Sequence, residues 1–98
     1  MTYFNDYPTD EQLQFIRDYD LKQGPAGLIK HLQKIWHWPD YIRLYPGIDD
    51  LTYLFLSTGG WSGNEDIIEA LKPTLFWLMY WWRSERGGHY YFEIPDMK

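Results

Sequence analysis

The sequence predicts an α+β fold, in which a three-stranded, mainly antiparallel sheet carries about three helices in the order ααβαββ. Residues 25–36 repeat apolar side chains at spacings of three and four, which is typical of an amphipathic helix. Residues 51–57 are rich in the residue types that strands favour. The apolar runs 74–83 and 89–94 flank a Gly-Gly turn, and this arrangement is typical of a β-hairpin. We therefore expect residues 1–98 to form one domain.

Helix boundaries follow from capping and proline signals. Thr9 begins a capping box, Thr-Asp-Glu-Gln, which predicts a first helix from about Asp10 to about Leu21. The second helix begins at Pro25, a residue favoured in the first helical turn. Ser62 begins a second capping box, and we expect a third helix to run from there to just before Pro73. The inward side chains of the three helices are expected to be Phe15, Ile16 and Tyr19, then Leu28, Ile29, Leu32, Ile35 and Trp36, then Ile67, Ile68 and Leu71.

Residues 40–50 contain Pro46-Gly47 and are expected to be mostly loop.

The predicted strand 74–83 is apolar on both of its faces. Such a strand is either covered on both sides or keeps one face for a partner. We expect one of its faces to complete the core of the second helix through Leu75, Trp77 and Met79.

Charge and composition restrict the partners. The net charge of −5 opposes binding to phosphate backbones, so we expect no nucleic acid. The chain has no cysteine, which excludes disulfides and thiolate metal sites. Its longest apolar run, residues 75–82, is far shorter than the ~20 residues of a membrane-spanning helix. The N-terminus lacks a signal-peptide pattern. We expect a soluble, cytoplasmic protein that does not bind membranes.

Residues 57–65 form a strand end, a Gly-rich loop and a helix start, an arrangement whose backbone N–H groups can hold an anion. The loop lacks the P-loop ending, and Glu65 already supplies a negative charge in the first turn. A tight turn is therefore the main interpretation, and a ligand loop that includes Trp61 and Asn64 is the alternative.

The sequence offers little chemistry for catalysis or metal binding. His31 and His37 are six residues apart on one helix, so they do not share a face as two metal ligands would. No serine lies in a nucleophile-elbow sequence. We expect no enzyme activity, no metal and no cofactor.

Two groups of residues are candidates for binding. Arg83, Arg86 and His89 surround the predicted hairpin turn and, together with Trp61, would suit an anionic planar ligand such as a nucleotide. Arg86 and Arg83 could instead pair with nearby glutamates on a solvated hairpin. The second group is a set of rings from which we expect an association surface, formed by Phe76, Tyr80, Trp82, Tyr90 and Phe92.

Two segments, Leu56 to Ile68 and Arg86 to Ile94, resemble small uncharacterised proteins encoded by bacteriophages and prophages. The likeness covers roughly the last half of the chain. It implies an accessory role in host takeover or anti-defence, in which the protein acts as a stoichiometric inhibitor or adaptor of a host protein in the host cytoplasm. The alternatives are sequestration of a small anionic or nucleotide ligand, and a structural homo-oligomer such as a homodimer.

Overall fold

A computed structural model describes residues 7–95 and residue 97. The expectation that the N-terminus is not a signal peptide concerns residues 1–6, which lie outside this range. In the described part of the chain, helices pack on an antiparallel sheet. The helices are α1 (Asp10–Asp18), α2 (Pro25–Ile35), α3 (Ser62–Leu71) and α4 (Leu75–Tyr80), with short 3₁₀ turns at Leu21–Gln23 and Pro39–Tyr41. The strands are β1 (Ile42–Pro46), β2 (Leu51–Ser57), β3 (Trp81–Glu85) and β4 (His89–Pro95).

The sheet has the order β1-β2-β4-β3, with antiparallel neighbours throughout. The α+β class and the antiparallel sheet are therefore confirmed, but the prediction of three strands is wrong by one. The additional strand is β1, in the segment expected to be loop. Ile42 and Leu44 alternate with polar neighbours along it, and Pro46 ends it at the edge of the sheet, where a missing N–H group is tolerated.

The prediction of a strand over residues 74–83 is wrong, because its first part is the helix α4. Thr74 caps this helix, and its hydroxyl accepts a hydrogen bond from the Trp77 N–H group at 3.2 Å. Helical spacing turns Phe76 into the core and leaves Leu75 and Met79 more than half exposed. Leu75 and Met79 are therefore not core residues, and Trp77 only packs against the core's margin.

Helix α2 follows its prediction closely, and α1 follows its prediction in part. In α1 the capping box of Thr9 and Gln12 is present, with hydrogen bonds of 3.1 and 2.9 Å. The helix ends at Asp18, earlier than expected, and Phe15 is exposed rather than inward. Helix α2 begins at Pro25 as predicted, and its apolar stripe is buried.

Helix α3 begins at Ser62, but the predicted capping box is wrong. Ser62 is already the first helical residue, the cap position belongs to Trp61, and no side chain bonds the cap there. Its inward residues Ile67, Ile68 and Leu71 are buried as expected.

The core lies on one face of the sheet only. Leu54 and Leu56 of β2, with Phe92 and Ile94 of β4, are fully buried beneath the helices. Side chains alternate along a strand, so the intervening residues of these strands point away from all four helices. We call this second side of the sheet the outer face. Among the described residues, no helix is long and apolar enough to cross a membrane.

Candidate binding face

The outer face carries rows of aromatic rings at its centre. In the strand register, Tyr45 of β1 lies opposite Tyr53 of β2, and Phe55 of β2 lies opposite Tyr91 of β4. The ring centroids of Phe55 and Tyr91 are 5.0 Å apart, within the range of favourable aromatic pairs. Tyr45 is 43% exposed, and the other three rings are half-buried by one another.

A β-bulge brings a further ring and a cation to this face. The register between β3 and β4 shifts between Trp81 and Arg83, so Trp82 is the additional residue. Trp82 lies against the ring of Tyr91 at 6.1 Å, and Arg83 lies over the same Tyr91 ring at 5.0 Å. Consecutive side chains of a regular strand would point to opposite faces. The bulge therefore adds both Trp82 and Arg83 to one cluster, a common use of bulges near functional sites.

Hydrogen bonds and an ion pair hold this end of the cluster. The Tyr91 hydroxyl donates to a carboxylate oxygen of Glu85 at 2.8 Å, and Arg83 pairs with the other oxygen of the same carboxylate. The guanidinium of Arg83 also lies 5.7 Å from the centroid of Trp82. Cation–π contacts of this kind favour the orientation in which the guanidinium of Arg83 covers the two rings.

The rings surround a shallow depression of about 240 Å³ that is lined almost entirely by apolar atoms. This volume is below the range of pockets that hold drug-sized ligands, about 300–1,000 Å³. The depression suits one side chain or one ring system. Its lining residues are Tyr45, Tyr53, Leu54, Phe55, Trp82 and Tyr91.

Charges around the rings are mixed in sign. Arg43 lies opposite Phe55, and it donates hydrogen bonds to the Tyr45 hydroxyl and to the Asp40 carbonyl oxygen. The hydrogen bond to Tyr45 raises the pKa of Arg43, so this residue stays cationic. Glu93 lies opposite Tyr53 and adds a carboxylate to the same face. The outer face is therefore an apolar centre with a polar rim and not a cationic surface.

The predicted ring set is divided between the two sides of the sheet. Phe76 and Phe92 are buried and pack against each other at 5.5 Å, while Tyr80 and Tyr90 pack against the edge of the core. Trp82 alone of the five reaches the outer face. Four of the five predicted surface rings therefore belong to the core or its margin, and only Trp82 lies on the outer face.

The hairpin residues are also dispersed. Arg83 joins the ring cluster, and His89 stacks on Phe55 at 5.8 Å on the same face. Arg86 is exposed in the turn. Gly87 and Gly88 both have positive φ, as the predicted turn requires. The Gly-rich loop and the hairpin turn meet at one end of the sheet, where the Thr58 N–H group donates to the Gly88 carbonyl oxygen at 3.0 Å and residues of both segments line one hollow. The predicted ligand residues Trp61, Arg83, Arg86 and His89 do not line this hollow, and its carboxylates, Glu65, Asp66 and Glu69, do not suit an anion.

In the first turn of α3, next to the Gly-rich loop, Asn64 forms hydrogen bonds with the protein's own backbone. Its buried side-chain oxygen accepts from the His37 N–H group at 2.9 Å, and its amide donates to the carbonyl oxygens of His37 at 3.1 Å and Thr58 at 3.3 Å. Trp61 stacks on the imidazole of His37 with centroids 4.3 Å apart. The loop thus fastens the segment after α2 to the start of α3.

Close packing also explains a glycine in this loop. Gly59 has a φ of 62°, and a Cβ there would approach the ring of Trp38 to 2.6 Å and that of Tyr41 to 2.7 Å. Trp38 itself adopts a φ of 66°, which is uncommon for a bulky residue. Glycine is therefore required at position 59 by both its conformation and its neighbours.

Four central rings of the outer face, Tyr45, Tyr53, Phe55 and Tyr91, were missed by the sequence analysis. A signal for two of them was present, because Tyr53 and Phe55 alternate with Leu54 and Leu56 along β2. Alternation of this kind assigns the aromatic pair to the side of the sheet opposite the leucines. Tyr45 was missed because β1 was expected to be loop.

His31 bonds the Gln12 carbonyl oxygen at 2.9 Å and stacks on Phe15 at 4.1 Å. Within residues 7–95, no group of three or more His, Asp or Glu residues is arranged to hold a metal ion.

Comparisons with protein-family models, with curated proteins and with solved structures find no match for this chain.

Proposed function

We propose that this protein acts by binding another protein through the outer face of its sheet. The proposal rests on a cluster of five rings and one arginine on a sheet face that no helix of the described chain covers. The members of the cluster are Tyr45, Tyr53, Phe55, Trp82, Tyr91 and Arg83. Aromatic residues and Arg are enriched at the centres of protein interfaces, and Trp, Tyr and Arg supply most binding hot spots. The apolar depression between Tyr45 and Trp82 would accept one anchoring side chain of the partner.

The mixed charge of the face favours a protein partner over nucleic acid. Single-stranded nucleic acid is bound by stacking on rings inside a positively charged groove. Here Arg83 is paired with Glu85, Glu93 lies on the same face as Arg43, and the whole chain carries a net charge of −5. An apolar centre with a balanced rim is instead the usual form of a protein interface.

The partner we propose is a host protein, with the chain acting as a stoichiometric inhibitor or adaptor in the cytoplasm of a bacterial host. The likeness of residues 56–68 and 86–94 to phage-encoded proteins supports this role. The centre of the face consists of rings and the Arg83–Glu85 ion pair, which are groups suited to binding a partner. We therefore propose that the protein acts by occupying its partner and not as an enzyme.

A second candidate is sequestration of a small planar anion. The arrangement of Arg83 over two rings favours it. The rings of Trp82 and Tyr91 could stack on a base while the guanidinium of Arg83 pairs with a phosphate group. The ion pair of Arg83 with Glu85 weakens this candidate, because the ligand would have to displace a carboxylate that is already in place.

The test is a capture experiment from bacterial lysate with matched variants. Tyr45→Ala and Trp82→Ala remove exposed rings of the face, and Tyr41→Ala removes a tyrosine of similar exposure, 40% against 43%, that does not line the depression. We expect one host protein to be retained by the wild type and by Tyr41→Ala. Either face variant should weaken its retention by roughly 30-fold or more, the effect of losing one hot-spot residue.

Equal retention of that protein by the face variants and the control would contradict the proposal. Native mass spectrometry of the purified wild type distinguishes the second candidate, since a nucleotide-sized molecule lost from Trp82→Ala would favour sequestration.

A further inference from the structure

We propose that two copies of this chain associate along the sheet edge formed by β3 and α4, with the two β3 strands antiparallel and centred on Ser84. The proposed two-fold axis passes between Ser84 of one copy and the partner's Ser84. It uses the edge of β3 and helix α4 and not the central rings of the outer face. Arg83 and Glu85 belong to both surfaces, so Leu78→Lys tests the dimer and Tyr45→Ala tests the outer face, and the two proposals can fail independently.

The first observation is an open strand edge. Among the described residues, β3 is the last strand of the order β1-β2-β4-β3, and it pairs with β4 on one side only. Backbone N–H and C=O groups along such an edge can pair with a further strand. Four of the five residues of β3 are exposed. The other edge strand, β1, ends in Pro46, which lacks a donor.

The second observation is an apolar surface beside that edge. Helix α4 ends at Tyr80 and β3 begins at Trp81, so the two elements are continuous. Leu78 is 78% exposed, and Met79, Leu75 and Trp81 are 57%, 54% and 41% exposed. Single exposed apolar residues are ordinary, but a contiguous group of this kind marks an interface.

The charge pattern of β3 fits a second copy as the occupant, because the Arg83–Glu85 pair that forms within one chain can be exchanged between two copies. Arg83 and Glu85 lie two residues apart on the same face of the strand. In antiparallel pairing centred on Ser84, Arg83 lies opposite the partner's Glu85, and the symmetry repeats this contact. Centring the pair on Arg83 or on Glu85 would instead put like charges opposite each other, which is unfavourable.

This geometry accounts for the apolar surface as well. A two-fold axis perpendicular to the sheet keeps both α4 helices on the same side of the joined sheet, one on each side of the axis. Leu78 and Met79 of the two copies can then pack together. The outer faces lie side by side and both stay open, so self-association and partner binding are compatible.

A cysteine substitution tests the register. The chain has no cysteine, so Ser84→Cys introduces a single thiol at the proposed axis. Directly opposed residues of antiparallel strands have Cα atoms about 4.5–5.5 Å apart, which is within the range that a disulfide spans. We expect mild oxidation to convert Ser84→Cys into a disulfide-linked dimer. Ile48→Cys, at an exposed site in the turn between β1 and β2, should stay mostly monomeric.

Sedimentation equilibrium between about 1 µM and about 1 mM tests the association itself. We expect Leu78→Lys to raise the dimer dissociation constant by about 100-fold or more, because it removes apolar contact from both copies. Ile48→Lys, at 77% exposure against 78% for Leu78, is the matched control and should leave the constant unchanged.

A charge exchange tests the pairing of opposite charges. Arg83→Glu should weaken the dimer on the order of 10-fold, since it converts two attractive contacts into repulsive ones, and the double variant Arg83→Glu/Glu85→Arg should restore it. A wild type that stays monomeric throughout this concentration range would overturn the proposal. A dimer that is unaffected by Leu78→Lys, or that forms no disulfide at position 84, would overturn it as well.

Discussion

At the scale of single residues, Trp82 determines what the outer face presents. Because it is the additional residue of a bulge, its ring and the Arg83 guanidinium both reach the ring of Tyr91. A regular strand would send one of these two side chains to the helix side. Asn64 has a comparable importance for the fold, because one buried amide holds two separate segments.

The clearest prediction at this scale concerns Asn64. Asn64→Ala removes three hydrogen bonds and leaves the His37 N–H group without its acceptor, so we expect a loss of about 1–3 kcal/mol in the free energy of unfolding. Urea denaturation measures this loss. Asn64→Asp keeps the acceptor oxygen but cannot donate when ionised, so its stability should also fall. Unchanged stability in both variants would show that Asn64 does not fasten the loop.

At the scale of elements, α4 and β1 show where sequence patterns lose information. Residues 75–82 are apolar at every position. The sequence therefore does not show whether apolar residues repeat every two residues, as in a strand, or every 3.6 residues, as in a helix. Thr74, a favoured N-cap residue directly after Pro73, was the available helix signal. Helix α2 was predictable because polar residues separate its apolar positions. β1 was not, because Pro46-Gly47 favours a turn.

Substitutions in α4 distinguish the helix from the predicted strand. Phe76→Ala should cost ~3–5 kcal/mol, because Phe76 is 2% exposed, whereas Leu75→Ala should cost less than about 0.5 kcal/mol, because Leu75 is 54% exposed. Leu32→Ala in α2 provides the core reference, with an expected cost of ~2–5 kcal/mol. Denaturation at low protein concentration gives all three values. A larger cost for Leu75→Ala than for Phe76→Ala would restore the strand prediction.

At the scale of the whole molecule, the four helices of the described chain lie on one side of the sheet and leave a ring-rich face on the other. The sequence predicted an α+β fold and an exposed aromatic surface, because its rings exceed what a small core needs. It did not identify most of the residues of that surface. The side on which each ring lies depends on strand register, on the bulge at Trp82 and on helix α4, and these are set by tertiary packing.

The most direct test of the outer face as a binding surface follows the indole N–H signals of tryptophan by NMR while the captured host protein is added. Trp82 lies in the ring cluster, whereas the indole of Trp36 donates to the Ser57 carbonyl oxygen inside the protein at 3.1 Å. We predict that the signal of Trp82 shifts or broadens on binding and that the signal of Trp36 does not. A change confined to Trp38 and Trp61, with Trp82 unaffected, would assign the interaction to the loop cluster and contradict this account.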